Sequence, residues 1–267
     1  MRDGVDSMET TETYDILKIK GDKYNRVEDL VILEYPFTIF IDDEEIITLL
    51  CTPKSLMELT IGFLYSEGFI DSIESVNKIR IDEDKGRAYV SLKLRKTFNE
   101  KLQGKRTITS GCGKGTVFYN VLDSFKSKKI ENIFPVNIES VIQLTREFNH
   151  KSELFLSTGG VHSCALCDMD NILYFEEDIG RHNALDKVLG KAYIENENLT
   201  DKLIFTSGRI SSEMLIKTAK RGIPAIVSRS APTSLAIDMA RELNITLIGF
   251  ARGEKMNIYT SFPSLNF

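Results

Sequence analysis

The stretch ILYFEEDIGRHNALDKVLGKAYIENENLTDKLIFT, residues 172–206, decides the fold class of this chain. An apolar run opens it, a segment with helical spacing of apolar residues follows, and a second apolar run closes it. The alternation extends in both directions. The pattern predicts strands at 154–158, 172–176, 202–206, 224–228 and 245–250, and helices at 182–194, 211–221 and 233–243. Strands that alternate with helices indicate an α/β sheet covered by helices.

The N-terminal part has a different pattern, typical of a β-rich unit. Apolar runs at 30–33, 37–41 and 46–50, with an acidic turn at 42–45, predict a β-meander after a disordered start of about ten residues. Thr52 as cap and Pro53 as first residue predict a helix that ends near Gly68. Its apolar stripe contains Leu56, Leu59, Phe63 and Leu64, and two strands follow at 79–81 and 88–94.

A domain boundary is expected near residue 130. The predicted division is a β-rich part at 1–129, which ends in a glycine-rich loop around Cys112, and an α/β domain at 130–267. The segment 116–150 is predicted to be helical with a break near Pro135.

Composition excludes several classes of protein. The chain has 267 residues, of which 42% are hydrophobic, and four cysteines, which is incompatible with disordered, collagen-like or disulfide-scaffold proteins. The sequence lacks an apolar run of membrane-spanning length, and its acidic first 15 residues do not resemble a signal peptide. We therefore expect a cytoplasmic protein with reduced cysteines. The net charge of −5 argues against nucleic-acid or anionic-membrane partners.

Cys112 lies in a cationic, glycine-rich stretch, Ser110-Gly-Cys-Gly-Lys-Gly115. Residues 101–129 carry seven basic side chains and one acidic one, whereas residues 1–100 carry 13 basic and 21 acidic ones. Nearby Lys114 and Arg106 favour the nucleophilic thiolate, and glycine allows close approach to another molecule. The stretch suits a cysteine that passes sulfur or an acyl group between partners. An incidental loop cysteine is the alternative.

His162, Cys164 and Cys167 raise the hypothesis of a zinc site, because a CxxC pair and a histidine supply three ligands. The signal is weak: there is no second pair, and the H-x-E and P-C-x-x-C elements of zinc deaminases are absent. If the segment is a strand, the two cysteines face opposite sides. Packed, reduced cysteines are the favoured interpretation.

Polar residues cluster where predicted strands end. The clusters lie at 176–187, 206–212, 228–233 and 250–255, and they combine hydroxyls, small residues and arginines. Such turns meet at one edge of an open sheet, where arginines bind phosphates and an aromatic ring stacks on a flat group. The candidate residues are Arg181, His182, Ser207, Arg209, Ser230, Phe250 and Arg252. The alternative is ordinary helix capping, in which Asp178 caps the helix and His182 only packs against its neighbours. Walker and GxGxxG motifs are missing, so the sequence supports neither an ATPase nor a dehydrogenase.

Several of these motifs together resemble the FdhD family, the formate dehydrogenase accessory sulfurtransferases, over residues 25–262. The matching segments are 49–53, 62–68, 110–113, 177–187, 207–209, 230–233 and 249–252. The resemblance implies a cytidine-deaminase-like C-terminal domain without zinc chemistry, in a dimeric cytoplasmic protein. Members accept sulfur as a persulfide from a cysteine desulfurase. They pass it to the molybdenum of the bis(molybdopterin guanine dinucleotide) cofactor for formate dehydrogenase.

By position, the resemblance makes Cys112 the persulfide cysteine. It assigns cofactor binding to Phe250, Ala251, Arg252, Gly253, Glu254 and Lys255. Many members carry a second cysteine where this chain has Gly115, so a relay through two loop thiols is not expected here, and a contribution from Cys164 and Cys167 stays open. The other hypotheses are a cofactor-binding chaperone without sulfur chemistry and a zinc hydrolase or deaminase.

Overall fold

A computed structural model describes residues 8–93, 129–131 and 134–261 of the protein, and Cys112 lies outside these ranges. The strands are β1 (Thr11–Lys20), β2 (Lys23–Ile32), β3 (Tyr35–Ile41), β4 (Glu44–Cys51), β5 (Val76–Asp82), β6 (Arg87–Leu92), β7 (His162–Cys167), β8 (Ile172–Asp178), β9 (Leu203–Thr206), β10 (Ala225–Ser228), β11 (Thr246–Arg252) and β12 (Lys255–Thr260). The helices are α1 (Leu56–Ser66), α2 (Ile138–Lys151), α3 (Glu153–Thr158), α4 (Arg181–Ile194), α5 (Ser212–Ala219) and α6 (Ser234–Leu243).

The C-terminal part contains a six-stranded mixed sheet in the order β12-β11-β10-β9-β7-β8. Strands β9, β10 and β11 are parallel, as expected for strands joined by helices, and the remaining pairs are antiparallel. Ile204 and Ile226 face a core that includes residues of α4, α5 and α6, whereas Phe205 and Val227 face a core that includes residues of α2. The predicted α/β sheet covered by helices is confirmed.

The N-terminal part contains a four-stranded sheet in the order β4-β3-β6-β5 and a separate two-stranded ribbon of β1 and β2. The predicted apolar stripe of α1 is buried in the core of the four-stranded sheet. The run at 30–33 was expected to belong to a meander with the next two runs. That prediction is wrong, because residues 30–32 pair with β1 in the ribbon.

Two further local predictions are corrected. Residues 154–158 form most of helix α3 instead of a strand, because the Glu177 carboxylate accepts hydrogen bonds from the backbone N–H groups of Leu154 (3.0 Å) and Phe155 (3.1 Å). Helix α1 begins at Leu56, not at Pro53, with Ser55 as its N-cap residue. Thr52 does not cap α1; its hydroxyl accepts a hydrogen bond from Ile179 N–H (3.2 Å).

The other elements follow their predictions closely. The helical segment predicted over 116–150 is confirmed as α2 from Ile138, and residues 134–136 beside Pro135 are not helical. Its first part, 116–128, lies outside the described residues. No helix in the described part of the chain is long and apolar enough to cross a membrane.

Helices α1 and α4 join the two sheets through a close backbone crossing. A Cβ atom on Gly62 would lie 1.8 Å from the Asp186 carbonyl oxygen, and one on Gly190 would lie 1.9 Å from that of Glu58. Only glycine permits such an approach. The four-stranded sheet is therefore held against the six-stranded one by direct helix packing. The division at residue 130 and the likeness to cytidine deaminases stay predictions.

Candidate functional site

The predicted site turns meet at one edge of the six-stranded sheet. Strands β8 to β11 contribute their carboxyl ends, and β7 contributes its first residue, because His162 pairs with Asp178 and Cys164 with Thr206. We call this edge the rim and define it by His162 and residues 178–183, 206–211, 228–233 and 250–252. Backbone hydrogen bonds tie its turns together, including Arg229 N–H to Thr206 O (3.0 Å) and Phe250 N–H to Ser230 O (3.0 Å).

One half of the rim gathers Arg181, His182, His162, Ser207 and Arg209. Gly208 lets the side chain of Arg181 lie against the β9–α5 turn, since a Cβ there would be 3.0 Å from Arg181 Cβ. The Ser207 hydroxyl accepts a hydrogen bond from Ser163 N–H (2.9 Å) and lies 3.4 Å from His162 Nδ1.

The positive charge in this half belongs to arginines. Burial, and after it the positive charges of Lys217 and Arg181, lowers the pKa of His182 to about 3, and burial together with Arg181 and Arg209 lowers the pKa of His162. Both imidazoles are neutral at pH 7. Burial and the charge of Arg209 also lower the pKa of Arg181. Arg181 thus lies against the turn that contains Arg209, and the two positive charges repel each other.

Two buried nitrogen atoms in this half lack a hydrogen-bond partner. They are Arg181 Nε and His182 Nε2. His182 Nε2 lies 3.3 Å from Glu213 Oε2, but the geometry of the contact is not that of a hydrogen bond. Unsatisfied buried donors and acceptors are costly, so the structure around these two atoms is kept at a cost in stability.

The other half of the rim gathers Arg229, Ser230, Phe250 and Arg252. Arg252 Nε donates a hydrogen bond to the Arg229 carbonyl oxygen (2.9 Å), and its guanidinium carbon lies 6.0 Å from the centre of the Phe250 ring. Burial and the charge of Arg252 lower the pKa of Arg229. Phe250 adopts a left-handed backbone with φ of 53°, which is strained for an aromatic residue, and its side chain is exposed.

The structure changes the expected roles of several rim residues. Ser211 and Thr233 cap α5 and α6 by accepting hydrogen bonds from Met214 N–H and Ala236 N–H, so part of the hydroxyl cluster is helix capping. Asp178, in contrast, does not cap α4, whose N-cap residue is Gly180. Capping therefore explains some of the turns and leaves the arginines unexplained.

The segment 250–255 forms a hairpin, so the last predicted strand, 245–250, extends further than expected. Strand β11 continues to Arg252, which pairs with Lys255 at the start of β12. Ala251 is buried in the core, and Glu254 forms an exposed ion pair with Arg146 (2.9 Å). Strand β12 has no strong sequence signal, because its exposed edge position leaves polar residues along the strand.

The zinc hypothesis for His162, Cys164 and Cys167 is wrong. The segment is strand β7, and Cys164 and Cys167 are buried in cores on opposite faces of the sheet. Burial raises the pKa of both thiols, so they stay protonated at neutral pH. Within the described ranges, no three His, Cys, Asp or Glu side chains are grouped as metal ligands.

An ion pair between Asp178, the first rim residue of β8, and Lys187 of α4 was not predicted from the sequence. Both side chains are fully buried, with Lys187 Nζ 2.7 Å from Asp178 Oδ2. The available signal was a lysine within the buried stripe of α4, beside Ala184 and Val188. A groove of about 1040 Å³, lined by residues 8–14, 53–56, Leu30 and Glu83, contains none of the rim residues.

Comparisons with known proteins show the family of the chain. A model of the FdhD/NarQ family matches residues 32–265. The chain belongs to the FdhD/NarQ family. Relatives named sulfur carrier protein FdhD are 44% identical in Listeria monocytogenes, over 94% of this chain and 97% of that protein. In Bacillus subtilis the identity is 43%, over 94% and 95%. The crystal structure of a formate dehydrogenase accessory protein from Desulfotalea psychrophila is similar, with a TM-score of 0.75 and 26% identity over 95% of this chain and 98% of that one.

Proposed function

We propose that this FdhD/NarQ protein carries sulfur to a molybdenum cofactor. It accepts a sulfur atom on Cys112 as a persulfide from a cysteine desulfurase and delivers it to the bis(molybdopterin guanine dinucleotide) cofactor that formate dehydrogenase needs. The names of its relatives support sulfur carriage, since proteins up to 46% identical are named sulfur carrier protein FdhD.

The observation that carries the cofactor assignment is the pairing of arginines on the rim. Arg181 lies against the turn that contains Arg209, and Arg252 donates a hydrogen bond to the Arg229 carbonyl oxygen (2.9 Å), so each pair holds two positive charges near each other. Like charges held together favour an anion between them, and arginine binds phosphate oxygens with two parallel hydrogen bonds. A dinucleotide cofactor carries diphosphate groups that suit such pairs. The exposed ring of Phe250 suits stacking on a guanine base.

The sulfur transfer balances with a single cysteine. The Cys112 thiolate attacks the outer sulfur of the desulfurase persulfide, a new S–S bond forms on Cys112, and the desulfurase cysteine leaves as a thiolate. An acceptor that supplies an electron pair, such as reduced molybdenum, then takes the outer sulfur and releases Cys112 as a thiolate. Cys164 and Cys167 do not suit a relay, because both are buried thiols with raised pKa values.

Mass spectrometry of the loaded protein tests the persulfide. We expect incubation with a cysteine desulfurase and free cysteine to add one sulfur to the wild-type protein and none to Cys112→Ala. Ser110→Ala, in the same glycine-rich stretch of sequence, is the matched control and should load normally. Equal loading of wild type and Cys112→Ala would show that Cys112 is not the persulfide cysteine.

A non-catalytic chaperone that binds the cofactor is the alternative function, and the rim would serve it equally well. The two functions differ in their need for the thiol. Cys112→Ala expressed in a strain that lacks this protein should leave formate dehydrogenase inactive if sulfur is carried. Full restoration of formate dehydrogenase activity by that variant would favour the chaperone.

The same proposal includes a cytoplasmic homodimer in which the α/β part has a cytidine-deaminase-like fold. The ribbon of β1 and β2 supports the dimer, because Leu17, Ile19 and Tyr24 are more than half exposed on one of its faces. Apolar surface of this kind is typical of protein–protein contacts.

A further inference from the structure

The buried pair of Asp178 and Lys187 joins the end of β4 to the rim. Asp178 Oδ2 accepts hydrogen bonds from Thr52 N–H (3.0 Å) and from Lys187 Nζ, which also donates to the Thr52 carbonyl oxygen (3.0 Å). Asp178 Oδ1 accepts from Gly180 N–H (2.8 Å) and from Asn183 Nδ2 (2.9 Å). Both carboxylate oxygens are thus used.

Two more hydrogen bonds cross between the same segments. Asn183 Nδ2 donates to the Leu50 carbonyl oxygen (2.8 Å), and Ile179 N–H donates to Thr52 Oγ1 (3.2 Å). The turn at 178–183 is therefore held on one side by its own strand and helix and on the other side by Leu50 of β4 and by Thr52, which directly follows β4.

Stability alone does not account for this arrangement. Desolvation of two charges costs about as much as their attraction returns, so apolar side chains of similar volume would often stabilise a core equally well. A fully hydrogen-bonded buried pair does confine the backbone around it to one geometry. The backbone confined here is Gly180 and the start of α4, which directly precede Arg181 and His182.

We infer that Asp178 and Lys187 are positioning residues for the rim. They act through the turn at 178–183 and set the direction of Arg181 and His182, and through Thr52 they make the end of β4 part of the scaffold of the ligand site. The inference rests on the proposed function for what the rim binds. The sequence alone predicted a cofactor site formed only by residues of the 130–267 part, whereas here Thr52 of the N-terminal part supports it.

Histidine NMR and guanosine diphosphate binding test this role together. The chain has three histidines, so spectra of the labelled full-length protein report on His162 and His182 separately, with His150 on α2 as internal reference. The variant pair is Lys187→Met, which leaves a buried carboxylate unpaired, and Asp178→Asn/Lys187→Met, which removes both charges.

We expect Lys187→Met to lower the melting temperature and the double variant to recover most of that loss. In both variants the His162 and His182 signals should shift while His150 stays in place, and affinity for guanosine diphosphate by calorimetry should fall roughly tenfold. Thr52→Val, which loses only the hydroxyl acceptor on the β4 side, should shift the His182 signal and weaken binding about threefold. If the double variant does not fold, the result for Thr52→Val alone tests the positioning role.

Leu144→Ala, in the core on the opposite face of the sheet, is the control for general loosening, and it should lower the melting temperature without shifting the His182 signal. Wild-type histidine spectra in the double variant and in Thr52→Val would overturn the inference, as would equal shifts in Leu144→Ala. A wild-type protein that does not bind guanosine diphosphate would count against the proposed ligand only, because the spectra are read without ligand.

Discussion

At the scale of single residues, the rim separates permanent charge from titratable groups. Its arginines keep their charge across the physiological pH range, whereas burial keeps His162 and His182 neutral. If the rim binds an anion through its arginines, as we propose, that binding does not depend on histidine protonation. The histidines instead affect stability and the shape of the site.

Arg252→Ala tests the positive charge in the half of the rim that contains Arg229, Phe250 and Arg252. We expect affinity for guanosine diphosphate to fall roughly tenfold or more, because a charge-assisted hydrogen bond contributes about 1.5–3 kcal/mol. Isothermal titration calorimetry measures the change. Arg241→Ala removes an exposed arginine from α6 and serves as the matched control. Equal affinities of wild type and Arg252→Ala would argue against this half of the site.

His182 makes stability depend on pH. Its pKa is about 3 in the folded protein, against 6.5 when exposed, so between these values the unfolded chain binds a proton that the folded protein does not. The free energy of unfolding should therefore rise with pH across this window, by up to about 1.4 kcal/mol per pH unit from this group.

Chemical denaturation of wild type and His182→Gln at pH 5 and pH 7 measures that contribution. The variant should lose less stability than wild type on going to pH 5, because Gln binds no proton. His150→Gln is the control for a histidine replaced elsewhere. If the free energy of unfolding of His182→Gln changes with pH as much as that of wild type, the buried, neutral imidazole does not contribute to the pH dependence.

At the scale of elements, the sequence pattern correctly predicted the helices and strands whose formation depends on local contacts. The elements between 172 and 250 carry their own periodicity, and all of them form close to the predicted bounds. Residues 154–158 are apolar enough for a strand, but their helical state depends on Glu177, which is distant in sequence. Strand β7 and the ribbon were likewise missed or misassigned, because their pairing partners are set by the tertiary fold.

Gly190→Ala tests the crossing of α1 and α4. The added Cβ would lie 1.9 Å from the Glu58 carbonyl oxygen, so the helices must separate. We expect the free energy of unfolding to fall by about 3 kcal/mol or more, as in severe overpacking. Denaturant titration gives the value.

Gly21→Ala is the control for that substitution. Gly21 has positive φ with open space around it, so alanine there costs only backbone strain, about 1–2 kcal/mol. A smaller loss at Gly190 than at Gly21 would mean that the helix crossing adapts easily and does not lock the sheets together.

At the scale of the whole molecule, the site was predictable where a topological rule applied. The turns after β8, β9 and β10 come from separate parts of the sequence, and the rule for open α/β sheets placed them on one edge. The rule did not extend to His162, whose place on the rim depends on β7 running antiparallel to β9. It did not extend to Thr52 either, since no local pattern relates the end of β4 to Asp178.

The ribbon of β1 and β2 allows a test of the proposed assembly. A two-stranded ribbon is marginally stable by itself. Leu17, Ile19 and Tyr24 nevertheless share one face of it and are 56%, 68% and 71% exposed, with no cover from the described part of the chain. A second copy that presents the same face would bury these side chains in a symmetric contact. Leu17→Lys/Tyr24→Lys should therefore convert a dimer into a monomer at micromolar concentration in sedimentation velocity, while Asn25→Lys, on the opposite face, should leave it dimeric. If the double variant stays dimeric, the interface lies elsewhere on the protein. If the wild type is monomeric, the proposed dimer is excluded.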